Sequence, residues 1–212
     1  MIKSKVNEAG GFYIEVPTLT ISGDDSVNEG SLYTLTLGDV NDPGNDTVTS
    51  YTINWGDGNI ETILVENLNN NRTVNHIYED DSNPTIIVSL TDEEGTYNNV
   101  ASKSITVNNI VPTLTISGDD AINEGSLYTL TLGEVNDLGN DAVTSYTIDW
   151  GDGNIETILV GELNENRTVT YTYEDDSNPT IIVSLTDEDG TYNNVASKSI
   201  TVNNIVPINK NR

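Results

Sequence analysis

The segment SYTINWGDGNIETI (residues 50–63) returns as SYTIDWGDGNIETI (residues 145–158), 95 positions later. Tyr51, Ile53 and Trp55 alternate with Thr52 and Asn54, and a period of two places the large side chains on one face of a β-strand. Asp57-Gly58 then breaks the pattern. This pair predicts a tight hairpin turn of the primed type, because Gly accepts positive φ without steric cost. A second alternating run over 59–64 closes the hairpin. Working outward, residues 16–110 lie over 111–205 with 13 differences in 95 positions. Such near-identity defines two copies of one unit, each long enough to bury a modest core of its own.

The remaining segments of each copy read the same way. In SLYTLTLG, Tyr33, Leu35 and Leu37 face one way and Thr34 and Thr36 the other. In TIIVSLTD, Ile86, Val88 and Leu90 share a face. Seven strands are expected per copy, near 18–22, 32–37, 48–55, 59–64, 72–78, 85–91 and 100–107, separated by Gly, Asn and Asp clusters. The fold class is therefore all-β, as two tandem immunoglobulin-like antiparallel β-sandwiches. The expected organisation is an N-terminal extension or edge strand (1–15), repeat 1 (16–110), repeat 2 (111–206) and a C-terminal tail (207–212).

Charge narrows the choice of partners. The net charge is −26, and the acids outnumber the bases 15 to 2 in residues 16–110 and 17 to 2 in 111–205. Phosphate backbones and anionic membranes are repelled by such a field, which excludes nucleic acid as a partner. Cations are favoured, the blander alternative being solubility or saline surroundings. The chain has no cysteine, which removes disulfides, thiolate metal sites and cysteine nucleophiles. No apolar run approaches the length of a membrane helix, and the opening MIKSKVNEAGGFYIE lacks the apolar centre of a signal peptide.

Antiparallel strands alternate in direction, so loops alternate between the two ends of a sandwich. The incoming linker and the loops after the second, fourth and sixth strands share the leading end. The loops after the first, third and fifth share the trailing end. In a linear tandem, Asp24, Asp25, Glu29, Asp57, Asp80 and Asp81 of repeat 1 are expected to approach Asp137, Asp141, Asp187, Glu188 and Asp189 of repeat 2. Like charges at close range cost about 1–4 kcal/mol per pair, and a cation reverses that sign. Carboxylate and carbonyl oxygens select Ca²⁺ over zinc or copper.

The motifs WGDG, VNHIYED, VSLTDEEGTYNNVASKSITVNN and NNIVPTLTISG resemble the PKD (polycystic kidney disease) domain family. The resemblance implies an immunoglobulin-like sandwich, found in tandem in large secreted or surface proteins. It also implies a structural Ca²⁺ held by a linker Asn, an Asp after the second strand and an Asp ending the sixth. In repeat 2 the matching positions are Asn109, Asp137 and Asp187. Repeat 1 offers Asp42 and Asp92, but Ile14 stands at the linker position. The second copy also departs from VNHIYED, carrying Tyr171 in place of His76.

A catalytic function is not expected. The one His of the chain is replaced in the other copy, so no nucleophile–base pair recurs. The leading functional reading is a monomeric spacer or stalk in an extracellular or cell-surface protein, whose partners are neighbouring repeats and whose junction calcium stiffens. The alternative is an adhesion module binding carbohydrate or protein. Alternation predicts that Tyr33, Tyr51 and Trp55 are buried, leaving Tyr97 and Tyr192, expected in loops, as the aromatic side chains free to stack on a sugar.

Overall fold

The computed structural model describes residues 5–6, 12–13, 16–42, 46–139 and 141–206. The chain divides between Ile110 and Val111 into two units. In the first, β1 (Lys5–Val6) pairs antiparallel with β2 (Phe12–Tyr13). The other residues of the proposed N-terminal extension lie outside the described residues, as do Pro43 and the 207–212 tail. The strands β3 (Thr18–Ser22), β4 (Ser26–Asn28), β5 (Leu32–Asn41), β6 (Ser50–Asn54) and β7 (Ile60–Leu64) follow. After a 3₁₀ turn come β8 (Thr73–Ile77), β9 (Thr85–Thr91), β10 (Thr96–Ser104) and β11 (Thr106–Asn108).

One sheet has the order β3-β5-β8 and the other β10-β9-β6-β7, all antiparallel. Their inward faces meet in one apolar core. Leu35 and Leu37 of β5 and Val74 of β8 come from the first sheet, and Ile53 of β6 and Ile86, Val88 and Leu90 of β9 from the second. The alternation read from the sequence is the reason. The inward residues of β9 are fully buried, while Ile87 and Ser89 between them are not. Each buried aliphatic side chain contributes about 1.5–3 kcal/mol relative to exposure.

The second unit repeats this plan. Its strands are β12 (Thr113–Ser117), β13 (Ala121–Asn123), β14 (Leu127–Asn136), β15 (Ser145–Asp149), β16 (Ile155–Leu159), β17 (Thr168–Thr172), β18 (Thr180–Thr186), β19 (Thr191–Ser199) and β20 (Thr201–Asn203). The sheets are β12-β14-β17 and β16-β15-β18-β19, enclosing a separate core.

Three features differ from the sequence expectation. First, the polar segment 26–28 forms a strand, β4, that pairs parallel with β11, placing Val27 opposite Val107. The pairing continues at both ends: Thr106 N–H donates to Asp25 O, Glu29 N–H to Asn108 O, and Ile110 N–H to the Glu29 Oε1 carboxylate oxygen at 2.5 Å. Unit 2 repeats it with Asp120, Glu124 and Ile205. Second, the last expected strand is broken at the buried Ile105 into β10 and β11. Third, β10 begins at Thr96 rather than 100, because a bulge absorbs the Asn pair. The register shifts between Tyr97 and Ala101, Asn99 takes φ +57°, and its N–H donates to Ser89 Oγ.

Candidate functional site

The WGDG hairpin is a structural centre built from both sheets. Trp55, 1% exposed, follows β6 and meets the ring of Tyr33 on β5 edge to face, its Nε1–H donates to Glu61 at 2.8 Å, and the Tyr78 hydroxyl donates to its carbonyl oxygen at 3.0 Å. The turn is not the two-residue primed type. Trp55 N–H donates to Asn59 O, closing a five-residue loop in which positive φ falls on Gly56 and Gly58. His76 stacks on the indole with centroids 4.6 Å apart and an interplanar angle of 8°, and its Nε2 lies 2.6 Å from Asp57 Oδ2. In repeat 2, Tyr171 does the same work. Its ring stacks on Trp150 at 4.5 Å and 10°, and its hydroxyl donates to Asp152 Oδ2 at 2.6 Å. A flat ring with a polar tip is the common requirement, which is why His and Tyr exchange here.

Burial raises the Asp57 carboxyl, but hydrogen bonds from His76 and Asn59 outweigh it and hold the group below the usual carboxylate range. Asp152 is also held low, burial again opposed by bonds from Tyr171 and Asn154. The Tyr171 hydroxyl is pushed up to about 12 by burial and by its bond to Asp152. A carboxyl with a lowered folded pKa stabilises above its ordinary value, and that stability is lost as pH falls through the folded one. Asp57→Asn is therefore expected to cost about 1 kcal/mol at neutral pH. It should also flatten the acid limb of a stability–pH curve below about pH 4, the ordinary carboxylate value. An unchanged acid limb in urea titrations at stepped pH would count against this role.

The acids singled out from the sequence occupy loops next to strand ends. Asp92 follows β9 and is 6% exposed. Its Oδ1 accepts the N–H groups of Glu94 and Gly95, whereas its Oδ2 is buried without a hydrogen-bond partner among the described residues. Asp187 repeats this after β18, with Oδ1 accepting from Asp189 and Gly190 and Oδ2 buried without a partner. Asp42 and Asp137, both half-buried, follow β5 and β14. The Asp137 carboxyl is raised, by burial first and also by the charges of Asp187 and Asp189, against N–H bonds from Gly139 and Leu138. Asn109, half-buried, follows β11.

The structure brings Asp42 and Asp92 together, 50 residues apart in sequence, and adds Asp46, which the sequence reading did not single out. Each of the three offers a carboxylate oxygen within 4.8 Å of the others. The Asp46 carboxyl is raised by burial and by the charges of Glu94, Asp42, Glu93 and Asp92. A second close group, Glu124, Asp175 and Asp176, is more open to solvent, and Asn204 Nδ2 donates to Asp176.

The expected aromatic platform is absent from Tyr97. It lies in β10, not in a loop, and is 6% exposed, while Tyr192 lies in β19 and is half-buried. The bulge at Asn99 is the reason, since it lets the strand begin early enough to turn Tyr97 inward.

These features define a pair of immunoglobulin-like β-sandwich modules with acidic loop clusters. The PKD domain family profile matches residues 15–107 and 109–202, and the chain belongs to that family. Similar solved structures include the PKD domain of an M14-like peptidase from Thermoplasmatales archaeon SCGC AB-540-F20. It is 22% identical over 45% of this chain and 98% of that one, with a TM-score of 0.35. Another, from the β-sandwich superfamily of carbohydrate-binding modules, is 11% identical over 76% of this chain and 84% of that one, with a TM-score of 0.34. No curated protein matches the chain significantly. No helix among the described residues is long and apolar enough to cross a membrane.

Proposed function

We propose that these repeats are non-catalytic spacers in a large extracellular or cell-surface protein, and that calcium stiffens them. The observation that carries the metal is the pair Asp92 and Asp187. Each is almost fully buried, with one oxygen held by loop N–H groups and the other buried without a hydrogen-bond partner among the described residues. A buried carboxylate oxygen left in that state is costly, and a hard cation satisfies it. The residues fit Ca²⁺, which takes six to eight oxygen ligands in flexible geometry. Asp42 and Asp92 would hold it in repeat 1, and Asp137 and Asp187 in repeat 2. Asn109 remains the third ligand of repeat 2 on the sequence resemblance alone. The ion supplies positive charge where carboxylates gather and ties loops that the chain otherwise connects only at a distance.

The spacer reading gains support from the near-identity of the repeats and from their acidic surfaces. The burial of Tyr97 takes from the adhesive alternative one of the two aromatic side chains expected to be free, Tyr192 being half-buried.

Thermal melts at constant ionic strength in Ca²⁺, Mg²⁺ or EDTA test the metal. A Ca²⁺-selective rise in midpoint is expected, of the size given by RT ln(1 + [L]/Kd) for binding to the folded state alone. Equal rises in Ca²⁺ and Mg²⁺ would mean screening of the net charge, and no response would remove calcium from the function.

A further inference from the structure

Repeat 1 has no linker ligand in the position that the resemblance assigns, since residue 14 is Ile and carries no donor atom on its side chain. The structure offers a replacement from inside the repeat. Asp42, Asp46 and Asp92 each place one carboxylate oxygen within 4.8 Å of the other two. Ca²⁺–oxygen distances of about 2.3–2.6 Å let two ligands of one ion lie up to about 5 Å apart, so a single ion reaches all three. Asp92 gives the cluster a buried anchor, 6% exposed, with Oδ2 unpartnered among the described residues.

Asp46 reaches this place because the chain beside it is stitched to the end of β9. Thr47 N–H donates to Glu93 Oε2 at 2.5 Å, and Thr49 N–H and Oγ1–H both donate to Thr91 O, at 2.8 and 3.0 Å. Thr91 and Glu93 flank Asp92, so the same bonds that hold the loop down deliver Asp46 to the Asp92 carboxylate. Repeat 2 uses the same latch, with Ala142 N–H on Glu188 Oε2 at 2.8 Å. A contact repeated in both copies is built into the fold rather than peculiar to one loop.

Resting on the calcium reading above, we propose that Asp46 is the third carboxylate ligand of repeat 1, completing with Asp42 and Asp92 a calcium site that needs no residue from a preceding linker. Glu93 is a positioning residue, acting through the Thr47 amide. Repeat 1 would then bind calcium wherever it stands in an array, first position included.

Calorimetric Ca²⁺ titration of the full chain tests this, in an Asp187→Asn background that weakens the repeat 2 site. One class of site is expected to persist in that background. Adding Asp46→Ala should weaken it at least about tenfold, with Asp46→Asn, which keeps one carbonyl oxygen, falling between. Equal far-UV circular dichroism in EDTA checks that the variants are folded. An affinity within about twofold of the Asp187→Asn parent overturns the role of Asp46 and leaves the calcium reading standing. Loss of all binding on Asp187→Asn alone overturns a separate site in repeat 1. No saturable binding by the unsubstituted chain overturns both.

Discussion

Trp150→Ala is expected to remove about 3–5 kcal/mol from the stability of repeat 2, the usual range for deleting a buried tryptophan. The indole is 1% exposed and touches three rings: Tyr171 face to face, and Tyr128 and Tyr173 edge on at 6.4 and 6.5 Å. Truncation leaves a cavity among rings that cannot collapse into it, because the Tyr173 hydroxyl is tied to the backbone carbonyl of residue 150 and that of Tyr171 to Asp152. It also takes from Glu156 the indole N–H that it accepts at 3.0 Å. For a domain of this size the loss corresponds to a fall in Tm of at least about 12 °C. The chain has two tryptophans, so Trp55 becomes the sole tryptophan, and its emission, excited at the red edge where tyrosine does not absorb, reports repeat 1. Its transition should stay near that of the unsubstituted chain, as the two cores share no residue. A loss in repeat 2 below about 1 kcal/mol would mean that the rings repack without the indole.

Gly56→Ala is expected to be nearly as damaging for a different reason. At Gly56 φ is +86°, a region that costs an L-residue about 1–2 kcal/mol. An added Cβ would also stand 2.8 Å from the carbonyl oxygen and 2.9 Å from the nitrogen of Thr85, where β9 begins. Backbone of an inner strand cannot yield as a flexible side chain does, so the total should exceed about 2 kcal/mol. Gly58→Ala is the control. Its φ is +98°, but nothing lies within 4 Å of its Cβ, and only about 1 kcal/mol should be lost. Urea unfolding of the pair decides the matter, and equal losses would show that the approach to Thr85 carries no weight.

The parts legible in the sequence were those set by local alternation. Tyr33, Leu35, Leu37, Tyr51, Ile53 and Trp55 are buried as their spacing demands, and the two sheets follow from them. What escaped depends on contacts remote in sequence. The segment Ser26–Asn28 has no strand signature of its own and becomes β4 only by lying beside β11, 80 residues later. The Asn pair after Tyr97 reads as a turn, yet the Ser89 hydroxyl stabilises a bulge there and the strand runs through it. Asp42 and Asp92 were named from the family resemblance. Asp46 was not, because its approach to Asp92 is set by bonds from Thr47 and Thr49 to the end of a strand more than 40 residues away.

The parallel pairing of β4 with β11 has a mechanical meaning. One strand lies near the start of the repeat and the other at its end, and they point the same way. Tension along the chain pulls them in opposite directions along their own length, loading the pair in shear. Its hydrogen bonds, including the one from Ile110 to Glu29, then share the load at once instead of opening singly like a zip. The identical arrangement of Glu124 and Ile205 places the same shear clamp at the end of repeat 2.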